Sequence, residues 1–270
     1  MKKRVLLFFL FLTALTLCCA CGRKTEGEKV QRDLPVITVG GAIYEPYFYE
    51  KTDGEYTGID VELAKEAFRR MGYQPVFVEL DLEQRSQALS DGSIDCMWSC
   101  LTMEGREEEY LWAGPYLYTR RVLVVPEKSK IQQLSDLRNK SVAVQANSTS
   151  EEILLEEELP EFADVEQIYS YRTLDEVFTS LRKGYVDAIA GHEAALLVYT
   201  EEYPGQYRYL NLNVDKTKLG VAFAKNGKEE LAQQLTGVLR EMTQDGTVGK
   251  ILTEYGLDVD KNIYHEGDQK

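Results

Sequence analysis

Arg106 stands in the stretch Thr102-Met103-Glu104-Gly105-Arg106, with Glu107, Glu108 and Glu109 behind it and Trp112-Ala113-Gly114-Pro115-Tyr116 shortly after. A guanidinium is a planar fork that gives a carboxylate two parallel hydrogen bonds and stays charged at any working pH. That is the chemistry of holding an anion. The plain alternative is surface pairing with the three glutamates, which does not account for the turn and aromatic residues on either side. Ser99 and Thr102 add hydroxyl groups just upstream. Asn147-Ser148-Thr149-Ser150 precede a helical run over Glu151–Leu159, so that backbone amides at its start offer further donors to an anion. Ser148 serves equally well there as an ordinary helix cap. His192 and Glu193 set an imidazole beside a carboxylate. The carboxylate is the better partner for an ammonium, whereas a neutral imidazole accepts one hydrogen bond. A surface helix cap is the competing role for His192. His265 is the second of the two histidines, and no metal-ligand cluster or nucleophile–base motif is present, so no catalytic residue, metal or cofactor is expected.

Strand-length apolar runs at Val36–Gly40, Pro75–Leu80, Ile94–Trp98, Ser141–Val144, Val165–Ser170 and Val186–Ala190 alternate with helical patterns. In Ile59–Met71, for example, Ile59, Leu63, Ala67, Phe68 and Met71 share one face. This alternation predicts an α/β protein with largely parallel sheets. The strand-like segments Arg120–Pro126 and Leu219–Ala224 each open a new stretch of the pattern, as expected if the chain crosses between two lobes before each. Cys96 and Cys100 lie four apart in one strand-like run, too far apart when extended for a disulfide, and read as small buried residues.

Several stretches in chain order resemble the extracellular solute-binding proteins of ABC importers, specifically the family that binds polar amino acids. They are Ile37–Gly40 with Tyr44-Glu45-Pro46-Tyr47-Phe48, Tyr56 to Ala64, Leu89 to Asp95, Thr102 to Tyr116, Gly184 to Ala188, and Met242 to Gly256. The resemblance covers nearly all of residues 34 to 258. It implies a two-lobed periplasmic-binding-protein type II fold, each lobe a mainly parallel sheet flanked by helices, with ligand in the interlobe cleft. Lobe 1 would be residues 34–117 plus 216–262 and lobe 2 residues 118–215, hinged at Tyr116–Arg120 and Asp215–Leu219. Arg106 would hold the ligand's α-carboxylate, with Ser99, Thr102, Ser148 and Thr149 around it. Tyr44 would cover the ligand's side chain, and Leu82, where an aromatic is usual, would form the opposite wall. Leu101 and Met103 fall where the family has hydroxyls. The aspartate that binds an α-ammonium in the family is replaced by His192, and Glu193 is the neighbouring carboxylate that could take over.

At the N-terminus, Met1-Lys2-Lys3-Arg4 and the apolar run Val5–Leu17 read as a secretory signal over residues 1–20. The run is too short to span a membrane, and no comparable run follows. Leu17-Cys18-Cys19-Ala20-Cys21-Gly22 resembles a lipobox, with Cys21 as the acylated residue, Cys18 and Cys19 as alternatives, and residues 21–33 as lipidated cysteine and tether. The formal charge of −14, about −17 once the signal is removed, disfavours nucleic acid as a partner. The expected protein is a monomeric, lipid-anchored receptor outside the cell membrane that passes an amino acid or similar small carboxylate to an ABC permease. Two other classes are an enzyme on the same fold, as in certain dehydratases, and a sensing module. The latter normally continues into a spanning helix, which the terminal Tyr264–Lys270 does not provide.

Overall fold

The computed structural model describes residues 34–155, 164–211, 216–265 and 267. The chain divides into Met1–Leu34 and Pro35–Lys270, and everything below concerns the second unit. The expected signal, the cysteines at 18, 19 and 21 and the tether lie outside the described residues.

The sequence pattern becomes two five-stranded sheets. The first contains β1 (Val36–Gly41), β4 (Gln74–Glu79), β5 (Cys96–Met97), β6 (Leu111–Thr119) and β12 (Thr217–Phe223), in the order β4-β1-β5-β12-β6. The second contains β7 (Arg121–Pro126), β8 (Ser141–Gln145), β9 (Gln167–Tyr171), β10 (Ala188–His192) and β11 (Tyr207–Asn211), in the order β11-β7-β10-β8-β9. A small ribbon pairs β2 (Tyr49–Glu50) with β3 (Tyr56–Thr57). The sheets are mixed rather than mainly parallel. In each, three strands joined through helices run parallel, and the two flanking strands, both on one side of them, each pair antiparallel with their neighbours. The flanking strands are those at which the chain leaves or enters a sheet, and they need no returning crossover helix. Arg120 alone separates β6 from β7, and residues 212–216 separate β11 from β12.

Helix α1 (Ile59–Met71) matches its predicted range. Ile59, Leu63, Ala64, Ala67 and Phe68 are fully buried, while Asp60 and Glu62 in the first turn and Arg69 and Arg70 in the last complement the helix dipole. Gly58 precedes it at φ 124, where a Cβ would lie 2.3 Å from the Tyr47 carbonyl oxygen, so only glycine fits. The further helices are α2 (Arg85–Ser90), α3 (Thr149–Leu155), α4 (Leu174–Arg182), α5 (Glu193–Glu201), α6 (Glu229–Gln244), α7 (Thr247–Glu254) and α8 (Val259–Asn262). Residues 156–159 of the predicted helical run lie outside the described residues. Among the described residues no helix is long and apolar enough to cross a membrane.

Trp98 is fully buried between Phe68 of α1 and Tyr116 of β6, as a strand-to-helix spacer. Cys96 and Cys100 are buried and free. Cys100 does not continue the strand. Its φ of 48 turns the chain so that its amide donates to the Asp60 carboxylate at 2.6 Å.

Candidate functional site

The turn that follows Cys100 places the arginine. Leu101 accepts the Gly220 amide, and Met103 donates to the Lys218 carbonyl, which stitches this segment onto β12. Leu101 and Met103, expected at hydroxyl positions, therefore pack inward: Leu101 with Ala88, Leu89 and Tyr110, and Met103 over Gly220. The Arg106 amide closes the turn on the Met103 carbonyl, and the Trp112 indole donates to the Arg106 carbonyl at 3.1 Å. The side chain is 4% exposed. Its Nη1 donates to Thr149 Oγ1 at 2.7 Å and Thr102 Oγ1 at 3.4 Å, and the two hydroxyls meet at 2.9 Å. Its Nη2 donates to both carboxylate oxygens of Glu152, one at 2.5 Å. Thr102 is bridged to β12 of the first sheet, whereas Thr149 and Glu152 lie on α3, which packs on β8 of the second. Arg106 thus spans the groove and already holds a carboxylate.

Around it lies an inner cavity of about 40 Å³, lined by Tyr44, Leu82, Ser99, Thr102, Arg106, Ser148, Thr149 and His192. All eight were singled out from sequence. The hydroxyl of Ser99 donates to the Ala42 carbonyl at 2.7 Å and so shapes the wall. Ser148 is a helix cap: its hydroxyl donates to the Gln145 carbonyl at 2.6 Å and accepts the Glu151 amide at 3.2 Å. Of the amides expected to serve an anion, those of Asn147 and Ser148 are in use, Asn147 donating to the Glu151 carboxylate and Ser148 to the Gln145 carbonyl.

His192 ends β10 and is 8% exposed. Its Nδ1 meets Thr119 Oγ1 at 3.2 Å, its amide donates to the Tyr44 hydroxyl at 3.3 Å, and the two rings meet edge-on at 5.8 Å. Burial, aided by the charges of Arg121 and Arg106, lowers its pKa to about 3, so the ring is neutral. Burial also holds the Tyr44 phenol far above its usual range. Glu193 is not in the lining. As the first residue of α5 it faces Arg120 in the crossover and accepts from the Nε and Nη2 of that guanidinium.

Arg121, Glu152 and Arg85 were missed. Arg121 is buried, and its Nε and Nη2 have no hydrogen-bond partner. A charged residue abutting the apolar run Val122–Val125 was the available signal. Glu152 lies one helical turn after Thr149, a spacing that puts both on one face. Arg85 stands 4.0 Å from the Glu152 carboxylate and donates to the Asn147 carbonyl.

An outer chamber of about 780 Å³ adjoins the inner cavity and shares Ala42, Tyr44, Leu82, Gln145 and Asn147 with it. That volume lies in the range of small-molecule sites. Glu45, Glu50, Glu79, Asp81, Glu83 and Asp175 line it, with Arg172, itself bonded to Asp81 at 2.9 Å, as its single lysine or arginine. Tyr44, Tyr49 and Tyr199 supply aromatic surface. Among the described residues no cluster of metal ligands occurs.

A model of the bacterial extracellular solute-binding proteins, family 3, matches residues 37–258. The histidine-binding periplasmic protein of Escherichia coli (strain K12) is 30% identical over 221 residues, spanning 78% of this chain and 84% of its own. Among solved structures, an ancestral arginine-binding protein bound to glutamine aligns with a TM-score of 0.73 at 28% identity, over 82% of this chain and 97% of that one. An ancestral amino acid-binding protein, described as a precursor of cyclohexadienyl dehydratase, aligns with a TM-score of 0.72 at 26% identity, over 82% and 94% of the two chains.

Proposed function

Because this chain belongs to family 3 of the bacterial extracellular solute-binding proteins, we propose that it captures an amino acid or similar small carboxylate between its two sheets and delivers it to an ABC permease. The observation that carries this reading is Arg106, a buried guanidinium between Thr102 and Thr149 that grips the carboxylate of Glu152. A ligand carboxylate takes the place of Glu152. The inner cavity has room for a few waters at most, so binding requires Glu152 to swing out and the groove to widen. The lobes are residues 34–117 plus 216–262 and residues 118–215, hinged at Tyr116–Arg120 and Asp215–Leu219.

Tyr44 and Leu82 line both cavities, which supports a ligand side chain that passes between them into the outer chamber. The excess of carboxylates there suits a cationic or long polar side chain. The histidine- and arginine-binding relatives are consistent with that preference. We further propose a monomer anchored on the outside of the cell membrane through an acylated Cys21 after removal of residues 1–20, working without cofactor and without catalysis. The link of one relative to a dehydratase keeps an enzyme as the second reading. Turnover of a bound carboxylate, followed by mass spectrometry, would establish it.

The test is calorimetry with whichever amino acid or carboxylate raises the unfolding temperature in a screen. Arg106→Ala is expected to weaken that ligand about 100-fold or more, equivalent to roughly 3 kcal/mol. Unchanged affinity in a folded variant would refute the assignment.

A further inference from the structure

In this reading the ligand's α-carbon lies next to Arg106, where its substituent faces His192 in the lining, with Arg121 buried beside His192 and outside the lining. The two residues are directly opposite each other in the antiparallel pairing of β10 with β7, so their side chains lie on one face of the sheet. His192 lines the inner cavity and is neutral. Arg121 is 2% exposed, and its Nε and Nη2 are donors without an acceptor among the described residues. Its charge also acts on Tyr44 and Cys100, which line the same cavity.

The nearby carboxylates are occupied or displaced. Glu193 is taken by Arg120, and Glu152 swings out of the groove once the ligand's carboxylate displaces it from Arg106. Asp60 accepts the Cys100 amide and the Tyr116 hydroxyl, and Glu104 accepts the Lys218 amide through both oxygens. An α-ammonium would therefore meet a buried, unpaired positive charge with no free carboxylate to offset it. An uncharged α-oxygen would meet no such repulsion.

We propose that the solute is a 2-hydroxy or 2-oxo acid, with Arg121 and His192 as the residues that select an uncharged oxygen over an ammonium at the α-carbon. This rests on the assignment of Arg106 to the ligand's carboxylate.

The test is calorimetry on the full chain with pairs that share a side chain: L-histidine and imidazolelactate, L-arginine and its 2-hydroxy analogue, L-glutamine and its 2-hydroxy analogue. In any pair that binds, the hydroxy acid is expected to bind at least tenfold more tightly. Equal or tighter binding of the amino acid overturns this inference while leaving the carboxylate role of Arg106 intact. Failure of every pair, together with a thermal-shift screen in which no carboxylate binds, overturns both. Arg121→Met, checked for folding by its unfolding transition, is expected to shrink the preference about tenfold. An unchanged ratio in the folded variant counts against the inference. The wild-type comparison decides alone if that variant does not fold.

Discussion

At the scale of single residues, the buried Arg106 guanidinium is paired with the half-exposed carboxylate of Glu152. In the proposed function Glu152 competes with an incoming carboxylate, so lowering its charge would lower the cost of displacing it. Glu152→Gln is expected to tighten carboxylate binding about tenfold, near 1.4 kcal/mol, by calorimetry. Weaker binding would mean that Glu152 helps to build the ligand's seat rather than filling it.

Two titrations near the groove oppose each other. Burial lowers the His192 pKa to about 3 and raises that of Asp60 to about 7. Between about pH 3 and 6.5 the unfolded histidine binds a proton that the folded one does not, so His192 makes stability rise with pH. Between about pH 3.8 and 7 the folded Asp60 keeps a proton that the unfolded one loses, so Asp60 makes stability fall with pH. Removing the first contribution exposes the second. The stability of His192→Asn relative to wild type is expected to decline from about pH 4.5 to about 6.5 in urea unfolding. A constant difference would contradict the buried, neutral state of His192.

Legibility at this scale followed from how local the signal was. Arg106, Thr102, Thr149 and His192 were readable because their types and sequence neighbours already suggested their surroundings. The partners of Glu193 and Glu152 depend on which lobe faces which, and a local pattern carries no such information. The unpaired state of Arg121 is likewise a property of the assembled groove.

At the scale of elements, α1 was legible to its ends because its apolar stripe, charged turns and flanking Gly58 and Gly72 agree. The strand predicted at Ile94–Trp98 shrinks to Cys96–Met97 because the chain turns at Cys100 to reach Asp60, a contact between residues 40 apart. The mixed character of the sheets was not legible, since strand direction depends on where the chain crosses and not on periodicity. Gly58 joins the Tyr44–Phe48 loop to α1, and the loop's position depends on that close approach: the amides of Ile59 and Asp60 donate to the carbonyls of Pro46 and Tyr47. Gly58→Ala is expected to cost about 2–4 kcal/mol in urea unfolding, combining a forbidden φ with a backbone clash. A loss under about 0.5 kcal/mol would show that the loop can move away freely.

At the scale of the molecule, the chain carries a formal charge of −14, yet the inner cavity is lined by Arg85 and Arg106, with Arg121 buried beside His192, while the adjoining outer chamber is acidic. In the proposed function this arrangement would draw a carboxylate inward and a positive tail outward and so orient the ligand. Composition gave the overall sign, but the opposite signs of the two layers appear only when distant segments are brought together. The account depends on the inner layer recognising a carboxylate. Calorimetry with a bound acid and its uncharged primary amide isolates that interaction without altering the protein. The acid is expected to bind about 100-fold or more tightly than the amide, roughly 3 kcal/mol. Equal affinities would contradict the account.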